Sequence, residues 1–186
     1  KAFRTQINDV LLTALARALS NWTQQDNVII DIEGHGREEL FDDLDVGRTI
    51  GWFTSLYPVP LTADGTPEDN LKQVKETLRN IPNRGIDFGV LQYLDTDSDS
   101  SMKLAATPMG QVIFNYLGQF GEIFTGSQLL RPSSAPYGSQ QGANRQRTHL
   151  LDINSSVGLD QLQITVSYSS GLHKQTTIQK FADDLL

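Results

Sequence analysis

Residues 28–38 read VIIDIEGHGRE, and the abrupt change of character within them decides how the chain is folded. Val28, Ile29, Ile30 and Ile32 form an apolar run of strand composition. Apolar residues on both sides of a strand suit one that is covered on both faces in a mixed or parallel sheet. Glu33, His35, Arg37 and Glu38 follow at once, with Gly34 and Gly36 between them. The plain reading is a strand that ends in a solvated polar turn, with glycines for positive φ. The sharper reading starts from the glycines: residues without Cβ let a substrate come close, so Gly34 and Gly36 would clear space around Glu33.

Outward from this stretch the chain alternates helices with strands. Ile7, Val10, Leu11, Ala14, Leu15 and Ala18 recur at the spacing of an amphipathic helix over residues 5–19. A second apolar and aromatic run, Thr49 to Leu61, predicts another strand, stopped by Pro58 and Pro60, with Trp52, Phe53, Leu56 and Tyr57 in the core. Thr66-Pro67-Glu68-Asp69 is a helix start, a hydroxyl cap followed by proline and two acids, and Pro82 ends that helix. Residues 95–101, DTDSDSS, read as a solvated loop, and Val112–Leu117 as a strand. Residues 125–146, rich in Ser, Gly, Gln and Pro, are expected to form a long mobile loop. Leu162, Ile164, Val166 and Tyr168 alternate with polar residues as in a half-exposed strand, and Ile178, Phe181, Ala182 and Leu185 mark a last helix. Strands interleaved with helices predict an α/β sandwich.

Composition narrows the function. With 15 basic and 22 acidic side chains the net charge is −7, and no basic cluster longer than a pair appears among the 186 residues. That argues against a nucleic-acid groove, which needs a basic stripe. The absence of cysteine excludes disulfides, thiolate nucleophiles and cysteine-ligated zinc, and fits a reducing compartment. No apolar stretch approaches the roughly 20 residues of a membrane span, so a cytoplasmic chain without membrane contact is expected. Lys1-Ala2-Phe3 lacks an initiator Met, and the chain is read as a piece of something longer.

The remaining constellations are weaker. A metal site from Glu33, His35, Asp42, Asp43 and Asp45 is chemically conceivable, but Arg37 in its middle would repel a cation, and no metal is expected. His149 and His173 stand isolated and read as surface or satisfied histidines. FNYLGQF, residues 114–120, sets Asn115 and Tyr116 in an apolar run where each needs a hydrogen-bond partner if buried. Strand alternation would point the two to opposite faces of a sheet.

Five motifs in order, NDVLLTALARAL (8–19), EGHGRE (33–38), RTIGWFTSLYPVPL (48–61), IPNRGIDFGVLQYL (81–94) and FNYLGQF (114–120), resemble the epimerization domain of nonribosomal peptide synthetases, a branch of the condensation-domain superfamily. The likeness spans nearly the whole chain, and EGHGRE and FNYLGQF separate epimerization from condensation and cyclization domains. Ile50 stands where valine is usual, Gly47 where serine is common, and Asp87-Phe88 replaces Gly-Tyr. The family's His-His-x-x-x-Asp-Gly motif is absent, so the resemblance implies the C-terminal subdomain alone. It implies one half of a two-lobed, chloramphenicol-acetyltransferase-like sandwich.

The activity implied is inversion of an aminoacyl or peptidyl α-carbon held as a thioester on the 4′-phosphopantetheine arm of an upstream peptidyl carrier protein, with no directly bound cofactor. Glu33 matches the family's catalytic glutamate, working opposite a histidine of the N-terminal half. Its pKa is expected above that of a free glutamate, with Arg37 pulling the other way. Arg37 would orient Glu33 or the substrate, Tyr116 and Asn115 would hydrogen-bond the thioester or enolate oxygen, and His35 would be structural. A condensation domain joining two carrier-bound acyl groups, and a non-catalytic docking surface for a carrier protein, are the alternatives.

Overall fold

A computed structural model of the chain describes residues 2–95, 98–119, 145–158 and 160–186, with positions 133, 135, 136, 138 and 142. The 125–146 stretch expected to be a long loop falls largely outside these residues.

Among the described residues five strands form one sheet: β1 (Asn27–Gly34), β2 (Ser55–Thr62), β3 (Val112–Gln119), β4 (Leu151–Gly158) and β5 (Gln161–Tyr168), in the order β2-β1-β3-β4-β5. The central pairs β1–β3 and β3–β4 are parallel, and the outer pairs β1–β2 and β4–β5 are antiparallel. The register brings Ile30 opposite Val59 and Val112, and Ile32 opposite Tyr57 and Phe114. Leu151 and Ile153 continue the row on β4. Because side chains alternate along a strand, all of these lie on one face.

That face is covered by α1 (Ile7–Thr23), α2 (Pro67–Arg79) and α5 (Gln175–Leu185), whose Leu12, Leu15, Ala16, Val74, Ile178 and Phe181 complete the core. Burying an aliphatic or aromatic side chain of this size stabilises the fold by roughly 1.5–3 kcal/mol. Two short helices, α3 (Ile86–Tyr93) and α4 (Asp99–Ala105), follow α2. Polar ties set the helices in place: the buried Asn70 of α2 accepts from Arg17 Nη1 at 2.6 Å and donates to the Asp64 carbonyl at 3.0 Å. Thr66 caps α2 as expected, its hydroxyl accepting from the Asp69 N–H at 3.2 Å.

Four expectations change. Pro58 and Pro60 do not stop β2 but lie inside it; β2 is an edge strand among the described residues, so a missing N–H there leaves no ladder bond unmade. The strand begins at Ser55, and residues 49–54 form a loop on which Trp52, expected in the core, is almost fully exposed beside Ile50, while Phe53 and Leu56, also expected there, are only half-buried. Part of the serine-rich loop is helix α4, because the Ser98 hydroxyl accepts from the Ser101 N–H and caps it. Strand β4 has no counterpart among the predicted elements.

Candidate active site

The alternate residues of β1 point away from the helices. Asp31 and Glu33 therefore share the sheet's polar face, two residues apart. Asp31 is fully buried: Oδ1 accepts from the Gly110 N–H at 2.7 Å, and Oδ2 lies 2.8 Å from His149 Nε2. A Cβ on residue 110 would come within 2.8 Å of that carboxylate, so glycine is what permits the approach. The other imidazole nitrogen, Nδ1, is 3.0 Å from Thr148 Oγ1. Sequence reading missed this pair, taking His149 for an isolated histidine. The available signal was Asp31 itself, a carboxylate inside an otherwise apolar strand, which needs a partner if buried.

Glu33 is half-buried at the carboxyl end of β1, and its Oε2 accepts from Asn115 Nδ2 at 2.6 Å. The parallel pairing of β1 with β3 makes this contact, by laying the two strand ends side by side. Burial pushes the Glu33 carboxyl above the ordinary glutamate range; Asp152 adds to the rise, and His149 opposes it. Asp152 is itself paired with Arg147 at 2.9 Å.

Glu33 opens on a cleft of about 420 Å³ lined also by Gly34, His35, Glu38, Tyr57 and Tyr116. Tyr116, opposite in parity to Asn115, sits toward the helix-covered face, packed in part against the core. Both nonetheless border the cleft, which wraps around the end of the sheet. On its far side Glu38 lies 3.1 Å from His35 Nε2 and 3.4 Å from Arg84 Nε. The Tyr57 phenol beside them is raised, by burial first and by Glu38 next, with Arg84 opposing. Glu38, Tyr57 and Arg84 were not expected here.

The six residues of EGHGRE thus divide. Glu33 and Gly34 end the strand, whereas His35 to Glu38 fasten the loop that follows, with His35 and Glu38 still lining the cleft. His35 Nδ1 accepts from the Arg37 N–H at 3.0 Å. The Arg37 guanidinium donates to the carbonyls of Val46, Thr49 and Gly51 and lies 4.2 Å from the Phe53 ring centroid. Its donors serve the 46–51 loop, not Glu33. Gly36, at φ 65°, has Phe53 backbone against it, and a Cβ there would fall 1.6 Å from the Phe53 carbonyl oxygen. The space it leaves is filled by the chain's own backbone.

Asp87, which departs from the family's usual glycine, accepts from Asn83 Nδ2 at 2.8 and 3.0 Å. It ties down a turn in which Asn83, Arg84 and Gly85 all have positive φ.

The condensation-domain family model matches residues 1–186. The linear gramicidin synthase subunits C and B of Brevibacillus parabrevis are 46% and 42% identical over 186 and 182 residues, covering 99% and 97% of this chain. The chain spans 2% and 4% of those two proteins. The crystal structure of the epimerization domain from the third module of tyrocidine synthetase B is 39% identical, with a TM-score of 0.88 over 99% of this chain and 41% of that one. The five-stranded α/β architecture accordingly matches the chloramphenicol-acetyltransferase-like fold of condensation and epimerization domains. No helix among the described residues is long and apolar enough to cross a membrane. With the family model matched from end to end, the chain belongs to the condensation-domain family, within the nonribosomal peptide synthetases.

Proposed function

We propose that this chain is the C-terminal half of an epimerization domain and that Glu33 is one member of its acid/base pair. The observation that carries the reading is the situation of Glu33: half-buried, at the end of a central parallel strand, facing a cleft, with its carboxyl held above the usual glutamate range. A group whose pKa moves toward neutrality can both take and return a proton.

The substrate would be an aminoacyl or peptidyl thioester delivered on the phosphopantetheine arm of an upstream carrier protein. The thioester acidifies its Cα–H bond. Glu33 would take or return that proton on one face, and a histidine of the N-terminal half would act on the other. Asn115, donating to Glu33 Oε2, would hold the carboxylate's free oxygen toward the α-carbon. Tyr116 at the cleft wall would donate to the oxygen on which enolate charge develops. Arg37 would act at a distance, fixing the loop that borders the site.

In the complete domain, Glu33→Gln is expected to lower exchange of the substrate α-proton in D₂O by about 10²–10⁴-fold. Retained equilibration of L and D forms would overturn the role. Dipeptide formation by the parent domain, without α-proton exchange, would favour a condensation activity instead.

A further inference from the structure

The cleft that Glu33 faces has a neighbour. Asn8, Ile32, Tyr57 and Arg84 line it and also line a second hollow of about 280 Å³, so the two adjoin across these four residues. A single water needs only ~10–15 Å³, and the second hollow is therefore space for a group of substantial size. The partition is firmly built. Gly85 packs so closely on the Tyr57 ring that a Cβ would come within 2.1 Å of it, and Asp87 holds Asn83 in the turn that carries Arg84. Asn83 and Arg84 both have positive φ there, a costly arrangement that persists only where the surrounding contacts impose it.

The walls of the hollow are of two kinds. Leu12, Leu78 and Ile81 supply hydrocarbon, and Arg79 stands with Arg84 as its cationic groups. Arg84 meets Glu38 through Nε, one edge of a guanidinium that carries several further N–H donors. Asp9, which also lines the hollow, already accepts from the Gln6 N–H at 2.7 Å. Asn8 Oδ1, by contrast, is buried with no hydrogen-bond partner among the described residues. An acceptor so withdrawn from water is costly until a donor reaches it, and the broad amide torsion of asparagine lets the oxygen turn to a donor that enters the hollow.

We propose that this second hollow receives the side chain of the residue being inverted, and that its walls favour an aliphatic stem with a carboxamide tip. The inference rests on the acid/base role proposed for Glu33, because an α-carbon brought to that carboxyl sets its side chain at the partition. Leu12, Leu78 and Ile81 take the stem. The carboxamide oxygen accepts from a guanidinium, and its N–H donates to Asn8 Oδ1. A carboxylate tip would bring a second acceptor to Asn8, and an ammonium would meet two cations. Seating the side chain also serves inversion: the proton leaves one face of Cα and returns to the other, while a held side chain keeps the carbon between its two proton carriers.

The test is kcat/KM for α-proton exchange in D₂O by the complete domain, with its carrier protein loaded in turn with glutaminyl, methionyl, glutamyl, lysyl and alanyl residues. Glutaminyl should exceed methionyl, of like length but without a donor, by about tenfold, and lysyl should be the poorest of the long side chains. Asn8→Leu should bring glutaminyl and methionyl to within about twofold of each other. Leu78→Trp, which fills the hollow from a half-buried wall position, should lower the glutaminyl-to-alanyl ratio by about tenfold. Damage to the fold lowers all substrates by one factor and moves none of these ratios. Should Leu78→Trp fail to fold, Ile81→Phe, also on a half-buried wall residue, decides the same ratio. Long side chains exchanged alike, a preference for glutamyl over glutaminyl, or a ratio that the filling variant does not move overturns the proposal. Any of these alongside an inactive Glu33→Gln leaves the acid/base role standing, whereas exchange that survives Glu33→Gln overturns both.

Discussion

The two faces of the central sheet obey different rules. On the helix-covered face Ile30, Ile32, Val59, Phe114 and Ile153 interlock as hydrocarbon, and any side chain of similar volume would do nearly as well. On the polar face each group has a particular neighbour, and its partners define its part. Asp31 and Glu33 make the point on one strand. Asp31 has an N–H on one oxygen and an imidazole on the other, and is closed to anything else. Glu33, roughly 7 Å further along by strand geometry, has an amide on one oxygen and a cleft before it. What separates a structural carboxylate from a candidate catalyst here is the number of partners already supplied.

The contrast can be broken from either side. Phe181→Ala, on a ring 2% exposed and 5.2 Å from Trp22, should cost about 3–5 kcal/mol in denaturant unfolding of the complete domain. It should leave the pH profile of the surviving enzyme in place; a displaced profile would show that the faces are not independent. Asp31→Asn keeps the shape but weakens the tie to His149, with an expected loss of about 1–3 kcal/mol. A loss near zero would mean that the pair is not the closed unit described.

The smallest effect has the opposite sign. Because the folded-state pKa of Glu33 is raised, the native chain holds this proton where the unfolded one has released it. Stability therefore falls as pH rises from the ordinary glutamate value through the folded one. Glu33→Gln removes that penalty and should raise Tm slightly at neutral pH, with the gain vanishing in acid below the unfolded pKa. A lowered Tm at neutral pH would show that the carboxylate is structural after all.

What could be read from the chain was what is written locally. The stripe of α1, the Thr66-Pro67 start of α2 and the alternation of β5 depend on neighbours within a turn or a strand, and each is where it was expected. Strand β4, LDINSSVG, was illegible because Asp152, Asn154 and Ser156 face the polar side while Ser155 takes a core position, which dilutes the apolar signal. Trp52 misled for the converse reason, an aromatic that composition assigns to the interior and that the Arg37-fastened loop carries into solvent. In the site, Glu33, Asn115 and Tyr116 came from motifs and do gather at one cleft. Asp31 and His149 are separated by 118 positions, and only the parallel stacking of β1, β3 and β4 brings them together.

The prolines of β2 bear on how the molecule meets its own kind. A bare sheet margin is a template, and a chain offered to it can be zipped on through successive N–H and carbonyl pairs. Along β2, Pro58 and Pro60 stand two positions apart and present ring carbons where an incoming strand would look for donors. Growth of the sheet past that margin is thereby discouraged, so crowding of many copies need not end in fibrous stacking at this edge.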